Sequence, residues 1–237
     1  MIDPDRHLQI GSLLFEDLDQ IDLTGPFEVL SRIPNSTCRI YAESTALVKD
    51  NAGLQLAAHA DLASAPRLDV LHVPGGPGQE ALMEDETVLD WVRQQAAGAL
   101  CVFSVCTGAL VCGAAGLLKN KRATTHWTAM HLLHHFGAVP VDRRVVEDGD
   151  LLCAAGVTAG IDGALVLAAR LRGDEAAQGI QLSMAYQPEP PFDAGSPERA
   201  PTAVTARMRE KAAGLTARRD ATARRVAARL GLDRSAA

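Results

Sequence analysis

No stretch of the chain approaches the roughly 18 uninterrupted apolar residues that a membrane-spanning helix needs, so a membrane role is not expected. The opening residues, Met1 to His7, are polar and lead into no long apolar run with a small-residue cleavage site. A secretory signal is therefore missing, and the expected setting is the cytoplasm. Paired cysteines are also lacking. The five present (Cys38, Cys101, Cys106, Cys112 and Cys153) are odd in number and show no C-x-x-C spacing, which speaks against a disulfide framework and against structural zinc. Neither G-x-G-x-x-G nor G-K-[ST] occurs, so the loop Pro74-Gly-Gly-Pro-Gly78 has little in common with a phosphate cradle. His126, His131, His134 and His135 cluster without H-E-x-x-H and without a carboxylate or cysteine at helical spacing, so no metal site is expected. An excess of positive charge is absent too: the net charge is −6, which gives no reason to expect nucleic-acid binding.

What is there is an ordinary globular composition, 47% apolar against 22% charged, on a 237-residue chain. That length fits one α/β domain over 1–237. Leu8 to Phe15 reads as a buried first strand, and a helix signal follows from Thr24-Gly-Pro26, where Pro26 suits the first turn because its missing N–H is not needed there. Further strand signals are Cys38 to Ala42, Thr45 to Val48, Gly53 to Ala58, Leu68 to Val73, Leu100 to Val105 and Arg122 to Thr125. Helices are expected over Glu86 to Ala97, from Cys106 onward, over Trp127 to Phe136 and over Val157 to Leu171. Arg144 to Leu152 reads as a hairpin turning at Asp148-Gly149. Tyr186 to Pro201, with five prolines, is too proline-rich for regular structure. Beyond it, residues 202–237 form a helical extension, one long helix or a pair; Arg207 to Arg234 holds nine basic residues, read as a solvated face or else a partner surface. Strands alternating with helices imply a mostly parallel sheet sandwiched by helices, of the flavodoxin-like or amidotransferase-like kind, with ligands bound beyond the carboxyl ends of the strands.

Three motifs sit at such ends. Ser104-Val-Cys-Thr-Gly-Ala109 puts Cys106 on a sharp strand-to-helix turn, the device of a nucleophile elbow, where helix N–H groups are expected to favour thiolate over thiol. The other cysteines read as small buried hydrophobes. Asp22, between Ile21 and Leu23, reads either as a helix N-cap or as an acid beside Cys106, coupled to it and kept protonated. Gly76 is expected to aim its N–H at the reacting atom, with Val157 as a second backbone donor. Thr107 offers an N–H and a hydroxyl to the same space, and His126 could reach the cysteine as an accessory group.

Taken in order, Ile21-Asp-Leu-Thr-Gly-Pro26, Val73-Pro-Gly-Gly76, Ser104-Val-Cys-Thr-Gly108, Arg122-Ala-Thr-Thr-His-Trp127 and Gly156-Val-Thr-Ala-Gly-Ile-Asp162 resemble the ThiJ/PfpI superfamily, and within it the isocyanide hydratases; so does Pro190 to Pro197. The resemblance implies a nucleophile at Cys106, a general acid and base at Asp22 and a hydrogen-bonding threonine at Thr107. It also implies an isocyanide substrate hydrated to a formamide through a thioimidate, no cofactor, and a homodimer. Leu152 to Gly156 departs from the family in being poorer in glycine. Two other readings share the fold: a deglycase or glyoxalase branch, which carries glutamate where Asp22 stands, and the ligand-sensing half of AraC-type regulators, which continue into helix-turn-helix units that the tail after Ala203 does not resemble.

Overall fold

A computed structural model describes residues 2–232, so Met1 and the last five residues of the expected extension lie outside it. The first half of the chain forms β1 (Leu8–Leu13), α1 (Gln20–Leu30), β2 (Ser36–Ala42), β3 (Val48–Lys49), β4 (Gln55–Leu56), β5 (Ala60–Asp61), β6 (Val70–Val73), α2 (Gln79–Leu82) and α3 (Glu86–Ala96). There follow β7 (Cys101–Val105), α4 (Gly108–Ala114), β8 (Arg122–Ala123), a 3₁₀ segment (Met130–Phe136), β9 (Val139–Pro140), β10 (Val145–Asp148) and β11 (Leu151–Ala154). Three helices end the chain: α5 (Ala159–Arg172), α6 (Asp174–Ser183) and α7 (Thr202–Arg229).

Seven strands make the main sheet in the order β10-β11-β7-β6-β1-β2-β5, parallel throughout except for the β10–β11 hairpin. Strand side chains alternate between two apolar layers, as a period of two requires. Cys101, Phe103 and Val105 of β7 join Leu152 and Ala154 of β11 in the layer under α1, α5 and α6, while Val102, Leu151 and Cys153 face the layer under α3, α4 and α7. Burial on both faces explains why these strands read as continuous apolar runs.

Two expectations need correction and a third is narrowed. The first helix begins at Gln20, capped by Asp19, whose carboxylate accepts from the Ile21 N–H at 3.4 Å; Pro26 therefore lies inside α1 and not in its first turn. Having no N–H, Pro26 leaves the Asp22 carbonyl without its helical donor, and that carbonyl faces the His72 ring of β6. The segment expected as a helix from Trp127 is a 3₁₀ turn beginning at Met130, in which Met130, Leu133 and Phe136 recur at the three-residue period of that helix, with Leu133 and Phe136 fully buried. The C-terminal extension is one helix: its basic side chains are exposed, as the solvated-face reading has it, apart from Arg219, which is buried against the body with Thr222, Ala223, Val226 and Ala227. At the opposite pole, Arg172 at the end of α5 donates to four carbonyls: Asp3 and Pro34 at 3.0 Å, Arg6 at 2.6 Å and Asn35 at 3.3 Å.

Candidate active site

The parallel sheet brings three loops to one edge: β1 runs toward the start of α1 and Asp22, β6 ends at Pro74-Gly75-Gly76, and β7 ends at Cys106. The chain order of the strands reverses between β1 and β6, where doubly wound sheets open their ligand crevice. Cys106 takes a left-handed φ of 54°, a conformation that costs a side-chain-bearing residue roughly 1 to 3 kcal/mol and persists only where neighbours enforce it. The neighbours do so: the Cys106 N–H donates to the Ala154 carbonyl at 2.9 Å, and the Thr125 hydroxyl donates to the Cys106 carbonyl at 2.7 Å.

Asp22 has no exposed surface and lies beside the thiol. Its Oδ2 accepts the Gly75 N–H at 3.1 Å, and its Oδ1 has no hydrogen-bond partner among the described residues. Burial, then the charge of Asp19, raise its carboxyl to about 7. Because Asp19 is the cap of α1, the capping alternative for Asp22 falls away.

Acidity does not distinguish Cys106. Burial first, and then the Asp22 charge, push its thiol well above the ordinary value, against the opposing pull of the Thr107 N–H and of Arg219. Burial thus works against the expected helix-stabilised thiolate, since α4 is only seven residues long and Cys106 is 5% exposed. Cys38 and Cys101 are raised to about 12 and Cys153 to about 11, by burial. What sets Cys106 apart is its enforced backbone and an acid at its side.

The expectation for Gly76 fails as well. Its N–H donates to Thr107 Oγ1 at 3.1 Å instead of into open space, and the Thr107 hydroxyl lies 3.3 Å from the Gly76 carbonyl. Only glycine fits here, because φ is +129° and a Cβ would stand 2.1 Å from the Asp19 nitrogen. The double-glycine turn thus holds the aspartate with one amide and the threonine with the next. Val157 precedes α5 and lines a cavity of about 610 Å³ with Thr125, His126, Trp127, Gly156 and the Gly195 to Glu198 stretch of the proline-rich arm. His126 pairs its Nδ1 with Thr128 Oγ1 at 2.7 Å; burial and then Arg219 lower its pKa to about 4, which keeps it neutral. It is Thr125, its neighbour, that bonds the Cys106 backbone.

The DJ-1/PfpI family pattern matches residues 9–170. The chain belongs to the DJ-1/PfpI family. It is similar to an isonitrile hydratase from Pseudomonas putida, 50% identical over 95% of this chain and 99% of that one. A crystal structure of a ThiJ/PfpI family protein from Pseudomonas syringae matches with a TM-score of 0.90 at 39% identity, covering 92% of this chain and 91% of that one. Drosophila melanogaster DJ-1beta shares the fold at a TM-score of 0.71 and 23% identity, over 77% of this chain and all of that one. The family match ends at residue 170, before α7.

From beyond that limit comes a residue that sequence reasoning missed. Arg219 of α7 is 5% exposed, and its Nη2 donates to the Gly76 carbonyl at 2.6 Å and reaches Thr107 Oγ1 at 3.4 Å. The signal was present in the tail. Arg219 is in helical register with Thr222, Ala223, Val226 and Ala227, so it stands on the inward stripe while the other arginines of the helix do not.

Proposed function

We propose that this DJ-1/PfpI protein is an isocyanide hydratase, converting R–N≡C and water to the N-substituted formamide by covalent catalysis on Cys106. The observation that carries this reading is the pairing of a thiol on an enforced elbow with a buried carboxyl that titrates near neutrality. The near full-length similarity to an isonitrile hydratase supports it.

An isocyanide carbon must gain a nucleophile and a proton, and this pair supplies one of each. Asp22 takes the thiol proton as the sulfur attacks the terminal carbon, then delivers it to that carbon, leaving the thioimidate R–N=CH–S on Cys106. Water adds next: its hydroxyl goes to carbon, while its proton passes through Asp22 to nitrogen. The C–S bond then breaks, the hydroxyl proton returns through Asp22 to sulfur, and R–NH–CHO leaves. Oδ1 of Asp22, without a partner, is the oxygen free to shuttle these protons, while Oδ2 stays on Gly75. Thr107 orients the turn, and the cavity walled by Val157 and His126 adjoins the elbow through Thr125 and suits the R group. Neutral His126 is not positioned by any hydrogen bond to serve as base.

Incubating the protein with p-nitrophenyl isocyanide should yield the formamide, and Cys106→Ala should abolish it while replacement of Cys38 or Cys112 has little effect. No formamide at micromolar protein overturns the reading.

A further inference from the structure

Arg219 is the only arginine of α7 with less than a tenth of its surface exposed, and none of the ion pairs among the described residues includes it. Its Nε has no hydrogen-bond partner there either, so one nitrogen on a backbone carbonyl and a distant hydroxyl is all that meets a buried guanidinium. A buried cation without a counter-charge is strongly unfavourable, and guanidinium, unlike lysine, does not escape by losing its proton. The charge must be balanced by something nearby. Burial is what bears hardest on Arg219, pulling its pKa down, and the charged or titratable groups around it are Cys106, Glu80 of α2, Arg218 on its own helix and Asp22. Glu80 accepts the Thr222 hydroxyl at 2.6 Å, a neutral donor, so its carboxylate remains a second neighbour of the guanidinium beside the Cys106 and Asp22 pair.

We propose that Arg219 is the counter-ion of the single negative charge that Cys106 and Asp22 hold between them, making the C-terminal helix a working part of the active site. The guanidinium reaches the carbonyl of Gly76 and the hydroxyl of Thr107, and so sits directly behind the turn whose amides hold Asp22 and Thr107. It is a positioning residue: it touches neither reacting atom, and it fixes how readily the pair gives up its first proton. The other charged or titratable groups near the pair are Asp19 from the cap of α1, which opposes ionisation, His72 beneath the Asp22 carbonyl, and His126, which feels the Arg219 charge. Both histidines are held neutral by burial, so Arg219 is the cation that bears on the pair.

The proposal rests on Cys106 and Asp22 being the working pair, and its test avoids isocyanide turnover. The rate of Cys106 alkylation by iodoacetamide, read by peptide mass spectrometry across pH, reports ionisation of the pair. Arg219→Gln should move the midpoint up by about one pH unit or more, a loss of about tenfold in rate at neutral pH. Arg219→Lys, which keeps the charge, should recover most of it. Melting curves should show both variants folded. An unmoved midpoint in folded Arg219→Gln overturns the proposal, and so does an Arg219→Lys protein as impaired as Arg219→Gln, since that outcome assigns a hydrogen bond and not a charge. Should Arg219→Gln fail to fold, the guanidinium nitrogen resonances of Arg219 in the wild-type protein should shift through the alkylation midpoint and lose that step in Cys106→Ser; resonances flat across it overturn the proposal equally. A shifted midpoint in a protein that makes no formamide leaves this inference standing and removes the hydratase reading alone.

Discussion

A carboxyl with no exposed surface is comfortable only when neutral, and Asp22 carries that preference into the stability of the whole protein. Its folded pKa of about 7 lies above the ordinary 3.8, so the folded state binds its proton more tightly than the unfolded chain does. The stability this contributes is complete below about pH 4 and is lost as the pH rises through about 7, a swing of about 4 kcal/mol by order of magnitude. Asp22→Asn removes the titration while keeping the shape. Its melting temperature is expected to gain on the wild type between about pH 5 and about pH 8, with hydration falling by about 10² to 10⁴-fold as the proton carrier is lost. Equal pH dependence in the two proteins, seen by calorimetry, would place the proton elsewhere. Cys106 and Asp22 were legible as residues because each sits where an apolar strand or helix start is interrupted by a reactive side chain. The raised pKa of Cys106 was not legible, because a helix terminus is visible in sequence whereas burial under α1 and α5 and the charge of Asp22 arrive from elsewhere in the chain.

At the scale of elements, α1 and α5 cross where side chains are smallest. Gly160 of α5 approaches so closely that a Cβ there would stand 2.8 Å from Pro26 Cγ and 2.9 Å from Val105 Cγ1, two groups with no freedom to swing aside. Gly160→Ala must therefore shift α1, which carries Asp22, or the end of β7, which carries Cys106. We expect a destabilisation of about 1 to 3 kcal/mol and a fall in kcat of up to about 10²-fold. Gly179 in α6 has nothing within 4 Å, so Gly179→Ala should be neutral or slightly stabilising and leave turnover intact. Thermal melts and steady-state rates for the pair decide whether the crossing is tight. The sheet strands were legible because burial on both faces gives unbroken apolar runs. Helix α6 was not, since only Ala177 and Ile180 of its ten residues are buried and so short a stripe has no visible period. Pro26 misled for a physical reason: its place in the seventh position of α1 is supported by packing against α5, which no local propensity records.

Across the whole molecule, α7 closes over one face of the sheet, joined to the body by Arg225 to Glu84 and Arg229 to Glu86 pairs and by His135 to Asp220. The sequence displayed the length and charge of that helix and the register that puts Arg219 in line with Thr222, Ala223, Val226 and Ala227, but not what that stripe packs against, because alanine and arginine at helical spacing are equally suited to solvent. The membership in the family was legible from short motifs, all but Pro190 to Pro197 within residues 9–170, and none of them reaches Arg219. Time enters through the opposite pole. The clasp that Arg172 makes on the carbonyls of Asp3, Arg6, Pro34 and Asn35 joins residues 137 to 169 positions apart. Contacts so distant along the chain require most of the sheet to be in place before they can close, so they contribute little to the barrier met on folding and much to the barrier met on unfolding. Arg172→Met should therefore leave the folding limb of a denaturant chevron almost unmoved and raise the unfolding rate by about tenfold. Slower folding with unchanged unfolding would put the clasp in the nucleus instead. On this view Arg172 is a latch on the lifetime of the native state: it determines how long the site at the far edge of the sheet, once assembled, stays assembled.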